Sequence, residues 1–223
     1  MDDKKRKFFV LQALYTLLVI IASAVVTTFY IFQVVLAKPD IEVLRHVDND
    51  KTAQVAFTSS SSIIEVFSYG CHYCEKAEPD LSAFEKTLPK NIKLIRLHIG
   101  QSDGLGRYAP LYATLTVMGL ESKLHQAAFK AVLEDNLDLA DVAVRNQWLT
   151  EQGVDIAQYE ETEKSARVKS LLAMLQQVTG AYGVSATPAY IVGKNWVTLT
   201  DRDWPAMGEQ LKSLLLTNKP LEK

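Results

Sequence analysis

The chain has 223 residues and a nearly balanced charge, with 26 acidic and 24 basic side chains and a formal net charge of -2. This balance gives no argument for nucleic-acid binding. The two cysteines are too few for a four-sulfur metal site. The length suits one compact domain with one insertion, in addition to a distinctive amino-terminal segment.

The amino-terminal segment has the composition of a membrane anchor. A basic tail, residues 1–7, precedes a run without any charged side chain, residues 8–37. As a helix this run spans roughly 45 Å, whereas about 20 residues cross the hydrocarbon core of a bilayer. A cleavable signal peptide has an apolar core of only about 7 to 15 residues. We therefore expect a retained transmembrane signal anchor over 8–37, with removal after Ala37 as the alternative.

The residues on either side of the span predict its orientation. Basic residues before the span, and Lys38 with acidic neighbours after it, predict a cytoplasmic amino terminus and an exported domain. Residues 38–52, with a proline and a polar run, are expected to form a linker. The globular domain is predicted over 53–223, with an outer strand at 53–58.

The central motif is a C-x-x-C pair, Cys71 and Cys74, which encloses His72 and Tyr73. This spacing lets two sulfurs close a disulfide or open to a dithiol, so redox exchange is the leading interpretation. Two alternatives remain. A structural disulfide would close a loop too short to stabilise much. A soft-metal site using Cys71, Cys74 and His72 is the other.

The pattern around the pair predicts a strand that leads into a helix. Residues 61–69 are rich in β-branched and aromatic side chains, and apolar residues at helical spacing follow Cys74. Cys71 would then lie at the helix start, where unpaired N–H groups and the helix dipole favour a thiolate. We expect Cys71 to be the attacking sulfur and Cys74 the resolving one. Pro79 should kink the helix without ending it.

The second half of the domain has the pattern of helices followed by a short strand. Apolar residues at intervals of three and four predict four or five helices over 108–118, 123–133, 140–149, 156–164 and 166–178. Thr187-Pro188 then heads an apolar strand, and residues 203–216 suit a closing helix on the sheet.

Together these features resemble the thioredoxin fold, in the version found in the DsbA family of disulfide oxidoreductases. The resemblance covers roughly residues 53–217. Its specific matches are Glu65, Phe67, Cys71, Cys74, Glu78, His98, Thr187 and Pro188. It implies an α/β fold with an α-helical domain inserted at about 103–178, and the transmembrane helix predicted above precedes this domain. One departure concerns the dipeptide between the cysteines, which is commonly Pro-His in the family and is His72-Tyr73 here.

The resemblance also implies roles for individual residues. The Thr187–Pro188 bond should be cis and face the active-site disulfide, so that both residues contact the substrate backbone. Glu65 and Glu78, by default a polar strand residue and a solvated helix residue, are candidates to move protons to and from Cys74. His98 is expected to be structural. His46 and His125 are expected at the surface.

The functional hypothesis is a membrane-anchored enzyme that introduces disulfide bonds into exported proteins in the bacterial periplasm. The cysteine pair carries the electrons, so no metal or organic cofactor is expected. The resemblance implies reoxidation by a DsbB-like, quinone-linked membrane protein. The alternatives are a reductase or isomerase on the same fold, which Tyr73 and the tether favour, and a soft-metal-binding chaperone module.

Overall fold

The computed structural model of the chain describes residues 3–31, 42–52, 55 and 59–222. The chain divides into two units, Met1–Glu42 and Val43–Lys223. The first contains a single described helix, and the second contains the cysteine pair and all of the described strands.

The helix of the first unit, α1, runs over Asp3–Tyr30. Its apolar part, Lys7–Tyr30, is long and apolar enough to cross a membrane, and none of it is buried against protein. At 1.5 Å per residue these 24 residues extend about 36 Å. The helix therefore agrees with the predicted anchor as far as Tyr30, while residues 32–37 of that prediction lie outside the described residues.

The second unit is built on a five-stranded mixed sheet in the order β1-β5-β4-β2-β3. The strands are β1 (Leu44–His46), β2 (Ser62–Phe67), β3 (Lys93–His98), β4 (Ala189–Val192) and β5 (Trp196–Leu199). Strands β2 and β3 are parallel, whereas β4 is antiparallel to β2 and to β5. A mixed sheet with its central strands buried requires helices on both faces.

The helix after β2 and the closing helix cover one face of the sheet. Helix α3 spans His72–Glu85 and helix α9 spans Ala206–Thr217. Their buried apolar side chains pack against the strand residues that point to this face of the sheet. The resulting cluster consists of Ile63, Leu81, Phe84, Tyr190, Val192, Met207, Leu211 and Leu214. Both helices thus follow the predicted periodicity, and α3 continues through Pro79 as expected.

The other face is covered by a helical insertion, which we define as the residues between β3 and β4 that form helices. These are a 3-10 helix (Gly104–Tyr108), α4 (Ala109–Met118), α5 (Glu121–Leu133), α6 (Val142–Glu151), α7 (Ile156–Glu163) and α8 (Ala166–Ala181). All five predicted α-helices are present. A Cβ atom at Gly100 would collide with the backbone of Leu175 in α8, so glycine there lets the insertion pack closely against the end of β3.

The predicted linker requires a correction. Residues 44–46 are not a tether but form β1, the edge strand that pairs antiparallel with β5. The Arg45 guanidinium also binds the carbonyl oxygens of Tyr182 and Gly183 at the end of α8. A short helix, α2, follows over Asn49–Thr52. The compact unit therefore begins at Val43 rather than Ala53, and most of the outer strand predicted at 53–58 lies outside the described residues.

Candidate active site

The cysteine pair lies where β2 passes through a tight turn into α3. Cys71 is the N-cap of the helix, and its backbone N–H donates to the Ser68 carbonyl at 3.0 Å. The two cysteines are joined by a disulfide. The Cys74 backbone N–H donates to Cys71 Sγ at 3.1 Å. After reduction, the same N–H and the helix dipole favour a thiolate on Cys71.

The two sulfurs differ in access. Cys71 keeps 6% of its surface exposed and Cys74 keeps none, so an incoming thiolate reaches Cys71 first. His72 and Tyr73 between them are exposed, and Tyr73 reaches 76%. This order agrees with the expected attacking and resolving roles.

The sheet register brings the proline loop to the same edge as the cysteines. Val66 near the end of β2 pairs with Ala189 at the start of antiparallel β4, so the residues before Ala189 lie beside the turn after β2. The Thr187–Pro188 peptide bond is cis, as the resemblance implies. Both residues are therefore close to the C-x-x-C turn.

A surface groove of about 580 Å³ connects the motif with the proline loop. We call it the active-site groove, and its lining residues are Tyr73, Lys76, Ala77, Asp80, Ala186, Thr187, Pro188, Leu199, Thr200, Arg202, Asp203 and Trp204. Thr187 Oγ1 is buried there and has no hydrogen-bond partner within the described part of the chain. The groove thus offers apolar and polar side chains next to the motif, as a peptide-binding site requires.

Glu65 lies on β2 and is completely buried. Neither carboxyl oxygen has a hydrogen-bond partner among the described residues, and the nearest cation is the Arg96 Nε, 3.8 Å from Oε2. Burial, then the negative charge of Glu78, raises the pKa of Glu65 to about 8 against the opposing charges of Arg96 and His125. Glu65 therefore holds a proton at neutral pH.

Glu78 corrects the default expectation of a solvated helix residue, because only 6% of it is exposed. It lies four residues after Cys74 on α3, which places it on the same side of the helix. Its Oε1 is 3.3 Å from the His125 Nε2 and 3.5 Å from the Arg96 Nε. Burial by itself favours a raised pKa, but His125 and Arg96 outweigh it and lower the pKa of Glu78.

His125 was expected at the surface and is instead buried, with 7% exposed. Its Nδ1 lies 2.6 Å from Glu121 Oε1, and Glu121 also accepts a hydrogen bond from the Tyr69 hydroxyl at 3.1 Å. The signal for its burial was in the sequence, because His125 lies on the buried stripe of α5 with Leu124, Ala128 and Phe129. Amphipathic spacing alone predicts the burial of this residue but not its partners.

These side chains form one buried ion network, consisting of Glu65, Glu78, Arg96, Glu121 and His125. Burial alone lowers the pKa of His125, but the ion pairs with Glu121 and Glu78 outweigh it and raise the pKa to about 9. With Glu65 protonated, Arg96 and His125 face Glu78 and Glu121, and Arg96 also pairs with the exposed Glu85 at 3.1 Å. Each buried charge of the network thus has a partner of opposite sign, as a region of low dielectric requires.

His98 agrees with its expected structural role. It is buried at the end of β3, accepts the backbone N–H of Tyr69 at Nε2 (3.3 Å), and places Nδ1 3.0 Å from the Ile99 carbonyl. Burial lowers its pKa to about 4, so the ring is neutral. His46, in contrast, is exposed on β1, where it packs edge-on against Trp196.

Comparison with known proteins assigns the family. A family model described as the DSBA-like thioredoxin domain matches residues 93–212, more than half of the chain. The chain belongs to this family. The matched region includes the helical insertion and the Thr187-Pro188 loop. The chain is therefore a protein thiol-disulfide oxidoreductase, and the Cys71–Cys74 disulfide supports this activity.

Individual relatives extend the match towards the amino terminus. The thiol:disulfide interchange protein DsbA of Pseudomonas syringae pv. tomato is 27% identical over 175 residues, 78% of this chain and 82% of that protein. A match of that extent cannot leave out residues 71–74. The DsbA of Azotobacter vinelandii is 28% identical over 158 residues, 70% of this chain and 74% of that protein.

Solved structures agree on the fold. The disulfide oxidoreductase DsbA from Proteus mirabilis superposes with a TM-score of 0.65 at 22% identity, covering 78% of this chain and 96% of that one. A single-substitution variant of Pseudomonas aeruginosa DsbA gives a TM-score of 0.64 at 23% identity, covering 70% and 86% of the two chains. Both support a thioredoxin-like fold with the helical insertion.

Proposed function

We propose that this protein oxidises cysteine pairs of exported proteins. A substrate thiolate attacks Cys71 Sγ, the Cys71–Cys74 bond breaks, and Cys74 leaves as a thiolate that takes up a proton. The second substrate thiolate then attacks the substrate sulfur of the mixed disulfide and displaces Cys71. Two electrons pass from the substrate to the enzyme, the substrate gains a disulfide, and the cysteine pair carries the electrons without a further cofactor.

One observation carries the oxidising direction, namely the position of Cys71 as N-cap of α3 with the Cys74 N–H directed at its sulfur. A stabilised thiolate favours the reduced enzyme and makes the disulfide a strong oxidant. The names of the curated relatives, thiol:disulfide interchange proteins, support the same chemistry. Substrate backbones would lie in the active-site groove along Thr187 and Pro188.

Proton transfer to Cys74 is assigned to Glu65. Cys74 has no solvent exposure, so its proton has to come from a buried group. Two nearby carboxyl groups have pKa values pushed in opposite directions, upward for Glu65 and downward for Glu78. When the pKa values of two carboxyl groups are shifted apart in this way, one group can donate a proton while the other stays ionised. Glu65 is the donor when Cys74 leaves and the acceptor when the dithiol is reoxidised.

The compartment is inferred from α1, and the redox partner from the family resemblance. Its apolar helix supports an inner-membrane anchor with the catalytic unit in the periplasm, an oxidising compartment. The reduced pair would then be reoxidised by a DsbB-like, quinone-linked membrane protein. His72 and Tyr73, both exposed beside Cys71, are positioned to contact the substrate and this partner.

Turnover with a peptide dithiol tests the proposal. Full-length protein in detergent micelles, with oxidised glutathione as the terminal oxidant, should oxidise a peptide that carries two cysteines in many cycles. Cys71→Ser is the inactive control. If the wild type fails to turn over under these conditions but reduces a disulfide-bonded peptide with reduced glutathione, the oxidase assignment is wrong.

A reductase or isomerase on the same fold is the second candidate, and the exposed Tyr73 between the cysteines favours it. Such an enzyme would attack substrate disulfides from a pair kept reduced by a membrane electron donor. A soft-metal-binding chaperone would retain metal on the reduced pair and show no turnover with the dithiol. The turnover assay separates all three functions.

A further inference from the structure

Two residues of the buried ion network, Glu121 and His125, come from outside the thioredoxin part of the fold. His125 lies on α5 of the helical insertion, whereas Glu78 and Glu65 lie on α3 and β2. The contact between His125 Nε2 and Glu78 Oε1, at 3.3 Å, therefore joins the insertion to α3, the helix that carries Cys74.

The two neighbouring carboxylates favour the charged form of the His125 ring. Both nitrogens of His125 face a carboxylate, Nδ1 towards Glu121 at 2.6 Å and Nε2 towards Glu78 at 3.3 Å. A neutral imidazole has one donor nitrogen and one acceptor nitrogen, so it can donate to only one carboxylate. The Nδ1 contact has hydrogen-bond geometry and the Nε2 contact is an ion-pair contact, so the imidazolium is the form of the ring that both carboxylates attract.

The surroundings prevent water from screening this charge. The ring packs against three aromatic side chains, with centroid distances of 5.0 Å to Phe67, 5.7 Å to Tyr69 and 5.0 Å to Phe129. Among the described residues, the titratable and charged groups that face the ring are Glu121 on its own helix, Glu78 on α3, Glu65 on β2, Arg96 and His98 on β3, and Tyr69 before α3. Arg96 alone cannot balance Glu78 and Glu121.

We infer that His125 is a positioning residue for the redox reaction, because its imidazolium keeps Glu78 ionised and so leaves Glu65 as the side chain that exchanges a proton with Cys74. The inference rests on the proposed function in one respect, the proton transfer by Glu65. His125 acts through Glu78 and is not a catalytic residue itself.

The inference predicts what the loss of this charge does. In His125→Gln, which keeps a polar side chain but no charge, Glu78 loses the positive charge 3.3 Å from its carboxylate, and the proton is shared between Glu65 and Glu78. The equilibrium constant with glutathione should then shift about threefold to tenfold towards a less oxidising pair. The reason is that a change of up to about one unit in the pKa values of Glu65 and Glu78 corresponds to a factor of up to about ten. The pH at which this constant changes slope should move as well.

The experiment uses full-length protein in detergent micelles, titrated with reduced and oxidised glutathione from pH 5.5 to pH 9.5. His125→Gln is compared with Glu121→Gln, which removes one of the two carboxylates that hold the imidazolium. The matched control is His46→Gln, because His46 is exposed on β1 and outside the network. Nitrogen-15 spectra of labelled histidine report the ionisation of His125 directly, assigned by the signal that His125→Gln removes.

The expected result is an imidazolium signal for His125 at pH 7.5 and a shifted pH profile for His125→Gln, with a smaller shift for Glu121→Gln and none for His46→Gln. A neutral ring at pH 7.5, or a His125→Gln profile that matches His46→Gln, overturns the inference. If His125→Gln does not fold, the Glu121→Gln profile decides, and a profile that matches His46→Gln overturns the inference. The glutathione titration needs no turnover, so failure of the inference is distinct from failure of the proposed function, which the peptide-dithiol assay reports.

Discussion

Glu65 and Tyr190 lie directly opposite each other in the antiparallel pair formed by β2 and β4, so their side chains are on the same face of the sheet. Burial and the neighbouring Glu65 carboxyl raise the pKa of Tyr190 well above its ordinary value. Two protonated, buried groups therefore lie side by side beneath α3. This arrangement isolates one exchangeable proton from solvent, close to the turn that carries the cysteines.

Glu65→Gln should change how stability depends on pH. The folded pKa of Glu65 is about 8, above its ordinary value of 4.5, so its contribution to stability is complete below pH 4.5 and is lost as the pH rises to about 8. The variant cannot ionise, so it should lack this loss, which is on the order of 5 kcal/mol for a pKa raised from 4.5 to about 8. Chemical denaturation between pH 4.5 and pH 9 measures it.

The matched control for this prediction is Glu161→Gln, because Glu161 is exposed on α7. Its free energy of unfolding should stay parallel to that of the wild type at every pH. If the free energy of unfolding of Glu65→Gln also stays parallel to that of the wild type at every pH, Glu65 ionises with an ordinary pKa and the prediction is wrong.

The two cysteines should differ when each is replaced by serine. Because Cys71 is the N-cap with residual exposure, reduced Cys74→Ser should attack a disulfide-bonded peptide and stay trapped as a mixed disulfide through Cys71. Cys71→Ser should form none, since Cys74 has no exposure. Non-reducing gels and mass spectrometry detect the adducts, and a stable adduct through Cys74 alone would reverse the assignment.

Filling the active-site groove should weaken substrate binding and leave the redox pair intact. Ala186 lines the groove next to Thr187, so Ala186→Phe should raise the KM for a peptide dithiol by about tenfold, which corresponds to about 1.4 kcal/mol. The reduction potential should not change. Ala143→Phe, at an exposed position on α6, is the control of equal size; an unchanged KM for Ala186→Phe would place the substrate elsewhere.

Helix α1 should behave as an integral membrane segment. In bacterial membranes the full-length protein should resist extraction by alkaline carbonate, because the 24 residues of Lys7–Tyr30 are enough to span the bilayer. Replacing both Leu17 and Leu18 by arginine should release it, since each charge at the centre of a span costs about 2.5–3.5 kcal/mol. Complete extraction of the wild type, or a mature protein that begins after Ala37, would favour a cleaved signal peptide.

Much of this fold could be predicted from local patterns. Helical spacing predicted α3, the five helices of the insertion and α9, because each buries a periodic apolar stripe. Strand β1 could not be found in this way. It has only three residues, none of them fully buried, and it is held by pairing with β5 and by the contact of Arg45 with the end of α8. Those interactions join residues that are far apart in sequence.

The same difference between local and long-range interactions applies to the candidate active site. The cysteine motif is local, so its chemistry and its place at a helix start could be predicted from adjacent residues. The partners of Glu78 could not, because His125 and Arg96 reach it from α5 and β3. The sequence does not distinguish a buried histidine that pairs with carboxylates, such as His125 on α5, from one that packs as a neutral ring, such as His98 on β3.

The equilibrium reduction potential of the Cys71–Cys74 pair tests the central claim most directly. It is measured by titrating the full-length protein in detergent micelles with a glutathione buffer at pH 7. The account predicts a value near roughly -120 mV, because a stabilised Cys71 thiolate makes the disulfide a strong oxidant. A value of roughly -200 mV or below would contradict it and would assign the protein to the reductases or isomerases.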